Sequence, residues 1–114
     1  MNWYKTSIEI TNLGDRNLVN SRIHSLEKLA KLIEYASRLV HQTQRRAREL
    51  VQHAMSDKRL SSYPAIKDML SSADKVALDS PNKFEDICKR AVDEIIFRVG
   101  DLKEERRSFT HGDR

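Results

Sequence analysis

A helical pattern without Gly or Pro runs from Leu18 to Arg59, and it limits the possible folds more than any other feature. Apolar or small residues recur along it in steps of mostly three and four, the spacing of helices that pack side by side. These positions are Val19, Leu26, Leu29, Ile33, Ala36, Val40, Thr43, Ala47, Leu50 and Ala54. Such a helix would be roughly 60 Å long, at about 1.5 Å per residue. The pattern predicts a helical bundle or a coiled coil.

Proline and small polar residues divide the remainder of the chain. Pro64 follows two serines and fits the first turn of a second helix, and Ser80 with Pro81 repeats that signal for a third. We expect an all-α fold: a three-helix antiparallel bundle with one helix of about 40 residues. The predicted single domain, 1–114, consists of an N-terminal arm at 1–14, a long helix at 17–59, helices at 63–78 and 81–107, and a flexible tail at 108–114.

The N-terminal arm has a different pattern from the helices. Between Trp3 and Ile10, β-favouring residues alternate with polar ones, which is the period of an extended strand. An Asn-Leu-Gly-Asp turn signal at 12–15 separates this segment from the long helix. Because a single strand cannot satisfy its own backbone, we expect the arm to pair within the chain or with another chain.

Charge is distributed unevenly along the chain. The chain is 39% hydrophobic and 33% charged, against roughly 25% charged for an average domain, and its net charge is +4. Residues 15–59 contain ten basic and five acidic side chains, whereas residues 60–102 contain six basic and eight acidic ones. This asymmetry predicts either acidic helices that dock on a basic one, or a basic face that binds phosphates.

The compartment can be inferred from cysteine and hydropathy. Cys88 is the only cysteine, so a disulfide within one chain is impossible and a reducing compartment is expected. The sequence contains neither an apolar stretch of about 18 residues nor the apolar segment of a signal peptide. We therefore expect a cytoplasmic protein that does not enter the membrane.

The strongest candidate site is a basic face on the long helix. At 100° per residue, five polar side chains fall within a sector of about 80°, nearly opposite the apolar stripe. They are Arg38, His41, Arg45, Arg48 and Gln52. Cations in a line suit the phosphates of a nucleic acid or an acidic protein partner, and the alternative is a solvated helix face. No aromatic residue interleaves these arginines, so base stacking is not indicated.

A second candidate is the segment from Arg48 to His53. Arginine, four residues and then histidine resembles the degenerate motif of HEPN-domain ribonucleases, which are small helical bundles. The resemblance implies RNA cleavage at a dimer interface, with Arg48 stabilising phosphate charge and His53 transferring protons. Arg106 and His111 share the same spacing. Residues five apart on an unbroken helix point about 140° away from each other, so convergence requires a helix to begin between them.

Other chemistry finds less support in the sequence. Glu49, His53 and Asp57 are one helical turn apart, but the chain has no Glu-x-x-His pair of the di-metal bundles, so we expect surface pairing and no metal site. Cys88 lies on the apolar stripe of the third helix, where we expect core packing. No Gly-rich phosphate loop and no cofactor site is predicted.

The function expected from these observations is non-enzymatic. The chain is predicted to be a helical interaction or assembly subunit that forms a homo-oligomer or docks on a protein partner, with its basic face on nucleic-acid backbone. The alternative is a HEPN-like ribonuclease or toxin that uses Arg48 and His53.

Overall fold

The computed structural model describes the backbone of residues 3–111 and the side chains of residues 16–108. Every regular element in that part of the chain is helical, which confirms the all-α prediction. The elements, in chain order, are α1 (Trp3–Leu39), α2 (Gln44–Met55), a short 3₁₀ helix, η1 (Lys58–Ser62), α3 (Pro64–Val76) and α4 (Pro81–His111). The described residues thus form four α-helices, where the sequence predicted three.

The predicted long helix at 17–59 is wrong, because the chain turns at residues 40–43. Thr43 has an extended backbone and its Oγ1 accepts a hydrogen bond from the Arg46 amide at 3.5 Å, so it caps the start of α2. The turn folds the apolar stripe back on itself, and Ala36 and Ala47 are both fully buried as a result. One straight helix would have left much of that stripe exposed to water.

The predicted N-terminal strand is also wrong, since α1 begins at Trp3 and continues through the expected turn at 12–15. A helix satisfies its backbone hydrogen bonds within itself, whereas a lone strand needs a partner. Residues 1 and 2 of the predicted arm, and residues 112–114 of the predicted tail, lie outside the described residues. The predicted tail at 108–111 instead continues α4 to His111.

The helices pack in a ring in which each one contacts mainly the next, and α4 returns to α1. Helices α1 and α4 run antiparallel: Asn20 in α1 accepts a hydrogen bond from Arg106 of α4, while His41, just past α1, bonds to Glu85 near the start of α4. This is the up-down-up-down order of a four-helix bundle joined by short connections.

The molecule is a rod of 67 × 20 × 20 Å with a radius of gyration of 18.1 Å, compared with about 13 Å for a compact domain of this length. Helices α2 and α3 are about 18–20 Å long, much shorter than α1 and α4. The 3₁₀ helix η1 lies beside Arg22 and Leu26, so α1 projects about 28 Å beyond it toward Trp3.

The core lies between the four helices where α2 and α3 cover the rod, and buried residues continue along α1 and α4 to Val19 and Leu102. Its largest fully buried side chains are Phe84, Ile33, Leu60, Ile66, Leu70 and Ile95. Ser37 is the one buried polar residue among the described side chains, and its Oγ donates to the Glu34 carbonyl at 2.6 Å. No described buried side-chain polar atom lacks a partner, so the core carries no unsatisfied group that would suggest a ligand.

Candidate nucleic-acid interface

The structure distributes the five predicted basic-face residues over two helices and a turn. Arg48 and Gln52 lie on the side of α2 that faces α3, where both donate to Asp74 Oδ1 at 3.0 Å. A carboxylate from the neighbouring helix therefore occupies these two side chains. This contact is the internal pairing of basic and acidic helices that the charge asymmetry also allowed.

His41 lies in the turn after α1 and contacts the Glu85 carboxylate of α4. Lys89, one helical turn further on, donates to the same carboxylate at 2.7 Å. These hydrogen bonds, first from Lys89 and then from His41, lower the pKa of Glu85, and the carboxylate in turn raises the pKa of Lys89. His41 is thus a tether between the α1–α2 turn and α4.

Arg38 and Arg45 complete the predicted set, and neither makes an ion pair or a side-chain hydrogen bond to the described residues. Arg38 lies in the last turn of α1, and Arg45 lies in the first turn of α2, opposite buried Ala47 and Val51. Both side chains are exposed. Of the five predicted residues, these two remain available to a partner without breaking a bond to any described residue.

A second row of cations, which the sequence analysis missed, follows the solvent side of α1. We call it the outer stripe, and its exposed members are His24, Lys28, Lys31, Tyr35 and Arg38. Steps of four, three, four and three keep these residues on one face over about 21 Å. None of the three unambiguous cations has a partner among the described residues. Glu27 and Glu34 lie on the α4 side of the helix, where they line shallow grooves, and Arg38 borders the same groove as Glu34.

Tyr35 lies between Lys31 and Arg38 in the outer stripe, with 54% of its surface exposed. An aromatic ring between cations is the combination on which single-stranded nucleic acids stack and bind. The outer stripe is visible in the sequence as a second set of residues that are three or four positions apart. It is easily overlooked because the core residues Leu26, Leu29, Ile33 and Ala36 have the same spacing, shifted by two residues.

A cleft of about 360 Å³ opens beside the outer stripe, between α1, the end of α2 and η1. We call it the α1–η1 cleft; its lining residues are Ser25, Lys28, Leu29, Leu32, His53, Ala54, Ser56, Asp57 and Arg59. Asp57 caps η1 by accepting from the Arg59 amide at 2.9 Å, and the same oxygen is 4.0 Å from Arg59 Nε. Lys28 belongs to both the stripe and the cleft.

The two residues of the HEPN-like motif point to different sides of α2. Arg48 faces α3 through Asp74, whereas His53 lines the α1–η1 cleft. Both residues belong to α2, Gln44–Met55, so no helix begins between them. Arg48 and His53 could converge within one chain only if a helix began between them, so they do not converge.

The remaining candidates for chemistry are separated or buried. Glu49 pairs with Arg46 at 3.0 Å, His53 lines the cleft and Asp57 caps η1. The described residues contain no group of three or more His, Cys, Asp or Glu side chains that could hold a metal ion. Cys88 is fully buried, and burial raises the pKa of its thiol to about 12, so the reactive thiolate is disfavoured.

Comparison with known protein families, curated proteins and solved structures finds no match to this chain. Among the described helices, none combines the length and apolar composition that crossing a membrane requires.

Proposed function

We propose that the protein is a non-enzymatic interaction subunit that docks in a larger assembly and contacts nucleic-acid backbone through the outer stripe. The observation that carries this proposal is the row of cations beside exposed Tyr35 on α1, none of which pairs with a residue that the structure describes. Cations without intramolecular partners can bind phosphates and release the counterions that surround them, without first breaking an ion pair.

The shape of the molecule supports the same proposal. An outer stripe of about 21 Å on a straight helix matches roughly six nucleotides of one strand, at about 3.4 Å per nucleotide along a duplex. Arg45 adds an exposed cation on α2 that has no partner among the described residues. The α1–α4 projection beyond η1 supports assembly, because it leaves long helical surface that α2 and α3 do not cover.

Binding of a fluorescein-labelled, 15-nucleotide single strand, followed by anisotropy at several salt concentrations, tests the nucleic-acid part. Three phosphate contacts predict a slope of log K against log salt of about −2, and so a loss of about 20-fold between 50 and 200 mM salt. A variant with Lys28→Ala, Lys31→Ala and Arg38→Ala should lose most of this slope.

The matched control removes three exposed cations that also lack partners within the described part of the chain but lie outside the stripe: Lys67→Ala, Lys75→Ala and Lys83→Ala. Both triple variants have the same net charge, so only position distinguishes them. Equal weakening by the two variants, or binding that does not depend on salt, would contradict the outer stripe as the interface.

Solution mass by light scattering tests the assembly part, with and without the oligonucleotide. We expect a species larger than the 13.3 kDa monomer, or a stable complex with a co-purifying partner. A strictly monomeric protein that retains no partner would overturn the assembly proposal and leave the nucleic-acid proposal to the anisotropy measurement.

A further inference from the structure

We infer that the α1–η1 cleft is a nucleotide-binding site, with the phosphate held by Lys28 and Arg59 and the nucleoside over the apolar floor that Leu29 and Leu32 form. This inference rests on the proposed function, because it specifies which part of a bound strand enters the protein. It adds a defined pocket to what would otherwise be a purely electrostatic surface.

The volume of the cleft suits a nucleotide. Small-molecule sites are typically about 300–1,000 Å³, apolar for the most part and supplied with a few polar groups. The cleft, at about 360 Å³, is at the lower end of that range. Leu29 and Ala54 are buried beneath it and Leu32 is half-buried, so its floor offers an apolar surface to a base or a ribose ring.

The hydrogen-bonding groups of the cleft divide into donors for a phosphate and acceptors for a nucleoside. Lys28 makes no ion pair among the described residues, and Arg59 pairs with Asp57, which also lines the cleft, only at 4.0 Å and with its side chain 62% exposed. Both cations can therefore turn toward a phosphate. Arg59 has the planar guanidinium that binds phosphate oxygens in pairs.

The two serine hydroxyl groups can accept hydrogen bonds, whereas the two cations can only donate them. Ser25 Oγ already donates to the Ser21 carbonyl at 2.8 Å, and Ser56 Oγ donates to the His53 carbonyl at 2.7 Å. Each hydroxyl therefore keeps lone pairs that can accept from a ribose hydroxyl or a base amino group. An inorganic phosphate ion would use the cations alone, whereas a nucleotide uses both sets.

The position of Lys28 links the cleft to the outer stripe. Lys28 lies about 10 Å along α1 from Tyr35, so a strand with one base stacked on that ring can reach the cleft within a few nucleotides. Arg59 also lines a neighbouring shallow cleft with Arg22. Stripe and cleft together make a continuous path for a phosphate backbone.

Amide NMR titrations with AMP, adenosine and inorganic phosphate test the cleft. We expect AMP to bind more tightly than either of the other two, with the largest shifts around Leu29, His53 and Ala54. Arg59→Gln should weaken AMP binding by about tenfold, since it removes one charge-assisted contact. Lys67→Gln, which removes an exposed and unpaired cation from α3, should have no effect.

Oligonucleotides with and without a 5′-phosphate distinguish a strand end from a free nucleotide as the source of the ligand. A strand whose end enters the cleft should bind more tightly when phosphorylated, and Arg59→Gln should abolish the difference. Equal binding of AMP and inorganic phosphate, shifts that map elsewhere, or no effect of Arg59→Gln would overturn the inference. If a 15-nucleotide strand still binds with the salt slope given above, the proposed function survives that result.

Discussion

Asp74 of α3 accepts hydrogen bonds from both Arg48 and Gln52 of α2 through one carboxylate oxygen, each at 3.0 Å. The side chain of Asp74 is 22% exposed and that of Arg48 is 39% exposed, so water screens the pair only in part. This contact joins the two short helices of the bundle. It also removes two residues from the basic surface that the sequence predicted.

Asp74→Ala should lower the free energy of unfolding by about 1 kcal/mol, because it breaks a partly exposed ion pair and a second hydrogen bond. Urea denaturation measures this change. Asp68→Ala, an exposed carboxylate on the same helix without a described partner, is the control and should change stability by less than about 0.5 kcal/mol. Equal effects of the two variants would show that the contact contributes no stability.

The same Asp74→Ala variant tests whether the predicted residues Arg48 and Gln52 can contribute to nucleic-acid binding. It frees one cation without adding one, so we expect the slope of log K against log salt to steepen by about 0.7 for a single strand. Asp68→Ala again serves as the control, since it changes the net charge equally. A slope that both variants change alike would show that Arg48 makes no contact of its own.

The sequence pattern predicted most of the buried residues but not the turn that divides the long helix into α1 and α2. Eight of the ten positions predicted on the apolar stripe, from Val19 to Ala54, are buried, whereas Thr43 is exposed and Leu50 is half-buried. The turn at residues 40–43 contains neither Gly nor Pro, and Thr43 fits the pattern of a helix interior as well as that of a cap. Periodicity records which side chains are buried, but it does not distinguish one long helix from two helices that fold against each other.

The candidate site was predictable only in part for the same reason. Arg38 and Arg45 are exposed and pair with none of the described side chains, whereas the partners of His41 and Arg48 are 44 and 26 residues away in sequence. Contacts at such separations depend on which helices become neighbours. The outer stripe, by contrast, lies within α1 alone, so its spacing could have been read from the sequence.

Replacement of Thr43 distinguishes the observed turn from a continuous helix. Thr43→Ala should cost about 1 kcal/mol, because α2 loses its N-cap. Thr43→Asp should be at least as stable as the native protein, since aspartate caps well and the first turn of α2 has no acidic residue. Thermal unfolding monitored by circular dichroism measures both variants. Stabilisation by Thr43→Ala would instead indicate a continuous helix, in which alanine is preferred.

The raised pKa of the Cys88 thiol predicts how the free energy of unfolding changes at alkaline pH. Burial raises the pKa of its thiol from 9.0 to about 12, so above pH 9 the unfolded chain loses a proton that the folded chain keeps. This contribution is complete below pH 9 and is lost progressively toward pH 12, by up to about 1.4 kcal/mol per pH unit. Urea denaturation at pH 8, 9 and 10 should show a steeper decline for the native protein than for Cys88→Ala. Parallel declines would contradict a buried thiol.

Gly100 lies within α4, and a Cβ atom added to it would meet no atom within 4 Å. Glycine costs about 1 kcal/mol relative to alanine in a helix interior, because its backbone loses more freedom on folding. Gly100→Ala should therefore raise the free energy of unfolding by about that amount, and Gly100→Ser should give a smaller gain, in the order of their helix propensities. Denaturation at low protein concentration measures the isolated chain. A loss of stability on Gly100→Ala would show that another surface approaches α4 closely at this position, which the open space around Gly100 does not predict.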